Sequence, residues 1–239
     1  MAQSGCLDAR IAPIMSFCAE QSTDSVQNAL PERIVPEVFG MPGEYRFGAV
    51  IPAAGMSSRM GDFKPLMPFG AATVIEAAVG SATPYLSTAV AVVGNRADAL
   101  SGVLGDRFGE ALVIVRNPDY ATTDMLRSVQ LGLRAMGECD AFFLLPADMP
   151  LISGAVYEAL IAAFDTDVDV IRPVMGGRRG HPPLINARLI PEILSYQGEG
   201  GLRAILSGRR EKTVAVDDRG IFTDLDTYED YRKANNEAE

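Results

Sequence analysis

The sequence predicts an α/β protein, a single domain built on a doubly wound, mostly parallel sheet with helices on both faces. Three observations carry this expectation. Short apolar runs at Phe47–Ile51, Thr88–Val93, Ala111–Val115 and Ala141–Leu145 alternate with segments of helical spacing, the pattern of a parallel sheet with covered faces. The runs are continuous instead of alternating with polar residues, as strands buried on both sides require. At 239 residues and 48% hydrophobic, the chain has the length of one large α/β domain with an ample core.

Taken in order, residues 1–45 stand apart. They hold Pro13, Pro31, Pro36 and Pro42 and only a helical hint around Ile11–Cys18. They read as a loosely ordered N-terminal extension ahead of a domain at 46–239. Phe47–Ile51 then forms the end of a buried strand closed by Pro52. Thr73–Ser81 has helical spacing, with Thr73 and Glu76 placed for a capping box. Thr88–Val93 is a buried strand, Ala97–Leu104 a short helix and Ala111–Val115 a third buried strand. Asn117-Pro118 marks a turn, Thr123–Met136 a helix with Met125, Val129, Leu133 and Met136 on one face, and Ala141–Leu145 a fourth strand. Val168–Pro173 and Lys212–Val216 read as further strands, separated by a Gly-rich turn that leads into Leu184–Ile185.

Composition excludes several functions. A net charge of −10 argues against nucleic-acid and anionic-membrane partners, and makes any phosphate ligand depend on a local basic pocket. No run of eighteen apolar residues marks a membrane span, and no basic-then-apolar leader opens the chain. Cys6, Cys18 and Cys139 lack metal or redox spacing, so reduced thiols and a cytoplasmic location are expected. His181 is the only histidine, which rules out a metal site built from several histidines.

The chemistry concentrates after the first strand. Ala53, Ala54, Gly55, Ser57 and Ser58 form a loop of small residues carrying Arg59 and, five positions on, Lys64. Small side chains let successive backbone amides approach an anion, and the two cations add charge, Arg as a fork and Lys as a point. The loop therefore reads as a cradle for a nucleoside triphosphate, with Arg59 and Lys64 supplying charge and no core packing. It is neither a Walker A loop nor a G-x-G-x-x-G loop. In a doubly wound sheet ligands sit outside the carboxyl ends of the strands, which also brings Asp148 and the Asn117–Ser128 loop to this rim. Asp148 on its own could equally be a turn aspartate.

The whole string AVIPAAGMSSRMGDFKPLMP resembles the signature L-A-A-G-x-S-x-R-M-G-x-x-K-x-L of the MobA-like NTP transferases, with Pro52 where Leu is usual. Its A-A-G is most similar to the molybdenum cofactor cytidylyltransferase branch, the guanylyl branch carrying A-G-G. The resemblance implies a Rossmann-like nucleotidyltransferase fold, one that GT-A-like glycosyltransferases can share. It also implies transfer of a nucleoside monophosphate from an NTP, CTP favoured, to a phosphorylated acceptor such as molybdopterin. Asp148-Met149-Pro150 corresponds to the family's Mg²⁺-ligating Asp-x-Pro, and Thr223-Asp224-Leu225-Asp226-Thr227 to its D-I-D-T-P-E-D, with Tyr228 replacing the proline. Asp148 and Asp226 are thus the implied Mg²⁺ ligands, with Asp224 the alternative to Asp226, and Arg59, Lys64 and Asp148 the implied catalytic set.

Asp124-Met125-Leu126-Arg127-Ser128 partly matches G-M-x-S-S-L, which implies a base or ribose contact for Ser128 and a phosphate contact for Arg127; a helix-surface role is the plain alternative for both. Gly177-Arg178-Arg179-Gly180-His181-Pro182 matches the branch's hairpin facing the second substrate, implying an acceptor-binding site at Arg178, Arg179 and His181. Transient contact with a molybdoenzyme or cofactor chaperone follows from the same likeness. A sugar-1-phosphate nucleotidyltransferase, a sugar-nucleotide-using glycosyltransferase and a non-catalytic nucleotide-binding protein are the rival readings. Asp165, Asp167 and Asp169 lack EF-hand spacing and read as solvated surface.

Overall fold

Eight strands form the sheet on which the molecule is built, and the computed structural model describes residues 45–55 and 63–238, with side chains to residue 236. The expected extension at 1–45 lies, Tyr45 apart, outside the described residues, as do Ser57, Ser58 and Arg59. Strand β1 (Phe47–Ala53) is followed by a two-residue hairpin of β2 (Pro68–Phe69) and β3 (Ala72–Thr73) and by helix α1 (Val74–Ala82). Next come β4 (Thr88–Val93), α2 (Ala97–Phe108), β5 (Val113–Arg116), α3 (Met125–Ala135) and β6 (Ala141–Leu144). The second half holds α4 (Gly154–Ala162), β7 (Val170–Met175), β8 (Arg178–Arg179), β9 (Leu184–Asn186), α5 (Ile190–Ser195), α6 (Gly201–Leu206), β10 (Glu211–Ala215) and α7 (Tyr228–Ala238).

The strand order is β10-β7-β9-β6-β1-β4-β5, with β8 paired to β7. β6, β1, β4 and β5 run parallel, as do β10 and β7, while β9 is antiparallel to both of its neighbours. The expected doubly wound, mostly parallel sheet is therefore what the chain forms. Successive residues of the central strands go to opposite faces, as the pleat demands. Ala49 and Ile51 of β1, Ala91 and Val93 of β4 and Phe143 of β6 pack one core. Val50, Val90, Val92, Phe142 and Leu144 pack the other, under α3, α5 and α6. Both sets are nearly waterless, which explains why these runs read as unbroken apolar stretches.

Local signals hold where the chain supplies them. Thr73 caps α1 through the predicted box, its hydroxyl accepting from the Glu76 amide while Glu76 accepts from the Thr73 amide at 2.7 Å. β5 departs from expectation. The run was expected to be buried, yet Val113 is 44% exposed, because β5 lies at the sheet edge with only β4 beside it. Composition cannot separate an edge strand from a central one. The crossover from β5 to β6 passes through α3, which sits close on the sheet: a Cβ at Gly132 would come within 2.6 Å of Val50 Cγ1.

Candidate active site

The strand order reverses direction between β1 and β6. β1 continues beside β4 as far as Ala53 opposite Val93, but its pairing with β6 stops at Val50 opposite Leu144. The last link on that side is the Leu145 amide donating to Val50 O at 3.0 Å. Pro52 has the parity of Val50, so its missing N–H falls on the side where β6 has already turned away, and a proline is tolerated there. The two chains part, and the crevice between them is where an open α/β sheet binds ligands. A cavity of about 280 Å³ occupies it, lined by Ala53, Gly55, Lys64, Met125, Asp148 and His181 among others.

Lys64 is the centre of this crevice. It sits in a single 3₁₀ turn, Lys64–Leu66, and is only 7% exposed. Its Nζ donates to Asp148 Oδ2 at 3.1 Å and to Asp226 Oδ1 at 3.2 Å. The expectation that Lys64 contributes charge without packing is thereby corrected: it is buried and bridges two segments far apart in sequence. Asp148 follows β6 directly. Asp226 is brought to it by its neighbour, because Leu225 is fully buried among Met67, Phe69 and Val74 and donates its amide to Asp148 O at 3.2 Å. Asp226, and not Asp224, is the member of that pair on Lys64.

The two aspartates stay open to solvent, their side chains 33% and 47% exposed. Both carboxylates share the one ammonium at the edge of the cavity. Among the described residues no cluster of three or more His, Cys, Asp or Glu converges. A cation here would have two carboxylates, a donor set that fits Mg²⁺, which takes one or two and fills its shell with water and phosphate oxygens.

The departures from the family pattern have local accounts. Asp124 caps α3, its Oδ1 accepting from the Arg127 amide at 3.2 Å. Tyr228 opens α7, whose first turn is held by Thr227 and Asp230 in a reciprocal cap of 2.6 and 3.1 Å, so the helix starts without the proline. Ser128 is not where its expected role needs it. It is 4% exposed, and its hydroxyl accepts from Asn117 Nδ2 at 3.2 Å, a group that also reaches Thr123 Oγ1. Ser128 faces inward and fixes the loop before α3; Met125, 57% exposed, is the residue of this turn that lines the cavity. Ala54 is likewise buried, with its methyl against Gly94, while Ala53 and Gly55 face the cavity.

The expected acceptor trio is split by the pleat. Arg178 and Arg179 are adjacent on β8 and point to opposite faces. Arg179 Nε pairs with Glu211 Oε1 at 2.7 Å, whereas Arg178 lies over the Phe222 ring at 4.5 Å. Only His181 reaches the main cavity. Burial, and secondarily the Arg172 charge, lowers its pKa against the opposing pull of Asp148 and Asp224, so it lines the pocket as a neutral imidazole near pH 7. The reading of Asp169 as solvated surface is also corrected. Asp169 is 7% exposed, and its carboxylate accepts from Arg188 Nε and Nη2 at 2.9 and 2.6 Å and from the Arg210 amide at 2.9 Å. Two arginines distant in sequence make this pair, and nothing near Asp169 in the chain announces them.

Residues 49–214 match the family model described as the MobA-like NTP transferase domain. The chain belongs to that family. Among curated relatives it is similar to the molybdenum cofactor cytidylyltransferase of Escherichia coli K12, 26% identical over 182 residues that cover 76% of this chain and 92% of that one. It is also similar to a probable molybdenum cofactor guanylyltransferase of Bacillus cereus G9842, 27% identical over 198 residues covering 79% and 96%. Among solved structures, a nucleotidyl transferase from Methanothermobacter superposes with a TM-score of 0.69 at 26% identity, covering 82% of this chain and 98% of that one. No helix among the described residues is long and apolar enough to cross a membrane.

Proposed function

We propose that this nucleotidyltransferase-family protein moves a cytidylyl group from CTP to a phosphorylated acceptor of the molybdopterin type, releasing pyrophosphate. The observation that carries the reading is the Asp148–Lys64–Asp226 bridge at the mouth of the crevice between β1 and β6. An oxygen of the acceptor's terminal phosphate attacks the α-phosphorus of the NTP, and the bond to the bridging oxygen of pyrophosphate breaks. The nucleophile is ionised near pH 7, so no general base is needed. The backbone of Ala53–Gly55 approaches the phosphates, with Ser57, Ser58 and Arg59 completing the loop and Lys64 contributing its ammonium. Asp148 and Asp226 would hold Mg²⁺, which supplies charge neutralisation at the phosphates. Otherwise the protein's task is in-line positioning.

The choice of CTP rests on the Ala53-Ala54-Gly55 sequence and on the name of the Escherichia coli relative; the Bacillus cereus relative is named for guanylyl transfer. Because the Ala54 methyl packs on Gly94, it acts on the base only through the positions of Ala53 and Gly55. A preference for CTP over GTP in kcat/KM is expected, and the roughly 10–200-fold scale of one methyl in direct contact with substrate is its upper bound. A molybdoenzyme or cofactor chaperone would collect the product. The test is pyrophosphate release from each of the four NTPs with and without molybdopterin: CTP with molybdopterin should give the fastest turnover. Preference for GTP or ATP would overturn the base assignment, and no release with any NTP would overturn the activity.

A further inference from the structure

A second cleft, of about 400 Å³, opens beside the main cavity and is lined by Met175, Gly176, Arg178, Arg219, Phe222 and Thr223. The two are linked by a backbone hydrogen bond, the amide of His181, which lines the main pocket, donating to O of Ile221, the neighbour of Phe222, at 2.9 Å. The cleft carries two guanidinium groups, and neither Arg178 nor Arg219 has a carboxylate partner among the described residues. Every other arginine of the hairpin and its neighbouring strands, Arg172 and Arg179, is tied to Glu211. In a chain of net charge −10, two unpartnered arginines on one concave surface are a local positive site.

The site is also rigid. The Arg178 guanidinium carbon lies over the Phe222 ring, 4.5 Å from its centroid, a cation–π contact that holds a charged, planar group at this surface. Arg219 and Phe222 belong to a 3₁₀ turn, Arg219–Phe222, that is clamped from two sides. Asp218 accepts from the Gly220 amide at 2.6 Å and from the Ser153 amide at 3.0 Å. A Cβ at Gly220 would stand 2.1 Å from Leu151 O, so only glycine lets the turn lie this close. The same segment continues to Asp226, so the cleft and the Lys64 bridge are set by one run of chain. This turn lies beyond the residues that the family model matches, 49–214.

We infer that this cleft seats the non-reacting body of the acceptor, a flat heterocycle with anionic substituents, with Arg219 and the Arg178–Phe222 stack as its specificity-determining residues. The inference rests on the transfer to a phosphorylated acceptor argued above: the acceptor's phosphate enters the main cavity while its ring lies on the Arg178–Phe222 platform. Arg179, paired with Glu211 on the opposite face, takes no part.

The test uses the full chain and pterin-6-carboxylate, a fluorescent planar anion, with fluorescence quenching reporting binding and calorimetry reporting CTP binding separately. Wild type should bind the pterin, and Arg219→Gln and Phe222→Leu should each weaken that binding about 10–100-fold, the loss expected for one charge-assisted or stacking contact. CTP affinity should be unchanged in both, and Arg179→Gln should bind the pterin as wild type does. Unfolding temperatures check that Phe222→Leu, whose ring also touches the core, is folded. Absence of pterin binding by wild type, or equal binding by Arg219→Gln and by folded Phe222→Leu, overturns the inference. Pterin binding that depends on Arg219 in a protein that binds no CTP would support the cleft while refuting the cytidylyl reading.

Discussion

Two carboxylate–cation clusters in this molecule differ in which charge is buried and in how its partners hold it. At Asp169, a carboxylate only 10% exposed is gripped by the Arg188 fork and the Arg210 amide. At Lys64, a buried ammonium is shared by two aspartates that remain a third to a half in water. Arg188 places two donors on Oδ1 and the Arg210 amide one on Oδ2, so both oxygens of Asp169 have donors and exchange would cost several hydrogen bonds. The lysine is a point charge with one contact to each aspartate, and both aspartate side chains keep a third to a half of their surface in water beside a cavity. The first arrangement closes a surface around β7 and β9; the second leaves an exchangeable charge at the strand ends. Geometry and exposure are what distinguish the two arrangements.

The sharpest way to break this comparison is to neutralise one carboxylate in each cluster. Asp148→Asn and Asp226→Asn should lower turnover by roughly 10²–10³-fold, the scale of losing a preorganised electrostatic group, with little loss of stability. Steady-state kinetics with urea unfolding on the same samples checks both halves. An Asp224→Asn variant that is crippled while Asp226→Asn is active would reassign the pair.

Asp169→Asn should do the reverse. Removing one partner of a buried pair costs about 3–5 kcal/mol, and the low end applies because the Arg188 side chain is 35% exposed. Urea midpoints should fall accordingly while kcat stays near wild type. A variant with wild-type stability would make Asp169 the solvated residue that its sequence suggests.

These contrasts mark what the sequence could tell. Strands β4 and β6 and the Thr73–Glu76 cap were legible because each is local: continuous apolar runs in a doubly covered sheet, and a box closed within four residues. The family was legible because its motif is contiguous. Asp169 was misread because its partners, Arg188 and Arg210, lie 19 and 41 positions away. The same non-locality hid the splitting of Arg178 from Arg179, since which face a strand residue takes depends on pairing that is set elsewhere. Ser128 was misplaced because family likeness gives a turn but not which of its residues points inward. Arg219 and Phe222 carried no sequence signal at all.

A smaller effect is expected in acid. Burial pushes the Asp169 carboxyl up, but the hydrogen bonds from Arg188 and the Arg210 amide, with the charges of both arginines, outweigh it and hold the pKa below the ordinary 3.8. A depressed folded-state value stabilises fully above the unfolded-state pKa and is lost as pH falls through the folded one. Wild type should therefore lose stability below about pH 4, with a steeper decline than Asp169→Asn. Parallel acid profiles in the two proteins would remove this carboxylate from the acid limb.

The smallest expected effect tests the central claim most directly, that Lys64 holds the aspartate pair by an exchangeable charge. Mn²⁺ can be titrated into wild type and Lys64→Met without nucleotide, with the spin resonance of free Mn²⁺ giving the affinity. Removing the ammonium takes away the cation that Asp148 and Asp226 share, so Lys64→Met should unfold at a lower temperature without metal and bind Mn²⁺ about tenfold more tightly, the gain of roughly 1.4 kcal/mol from losing one competing cation. Equal or weaker Mn²⁺ binding in folded Lys64→Met would contradict the account and return Lys64 to the role of a structural strut.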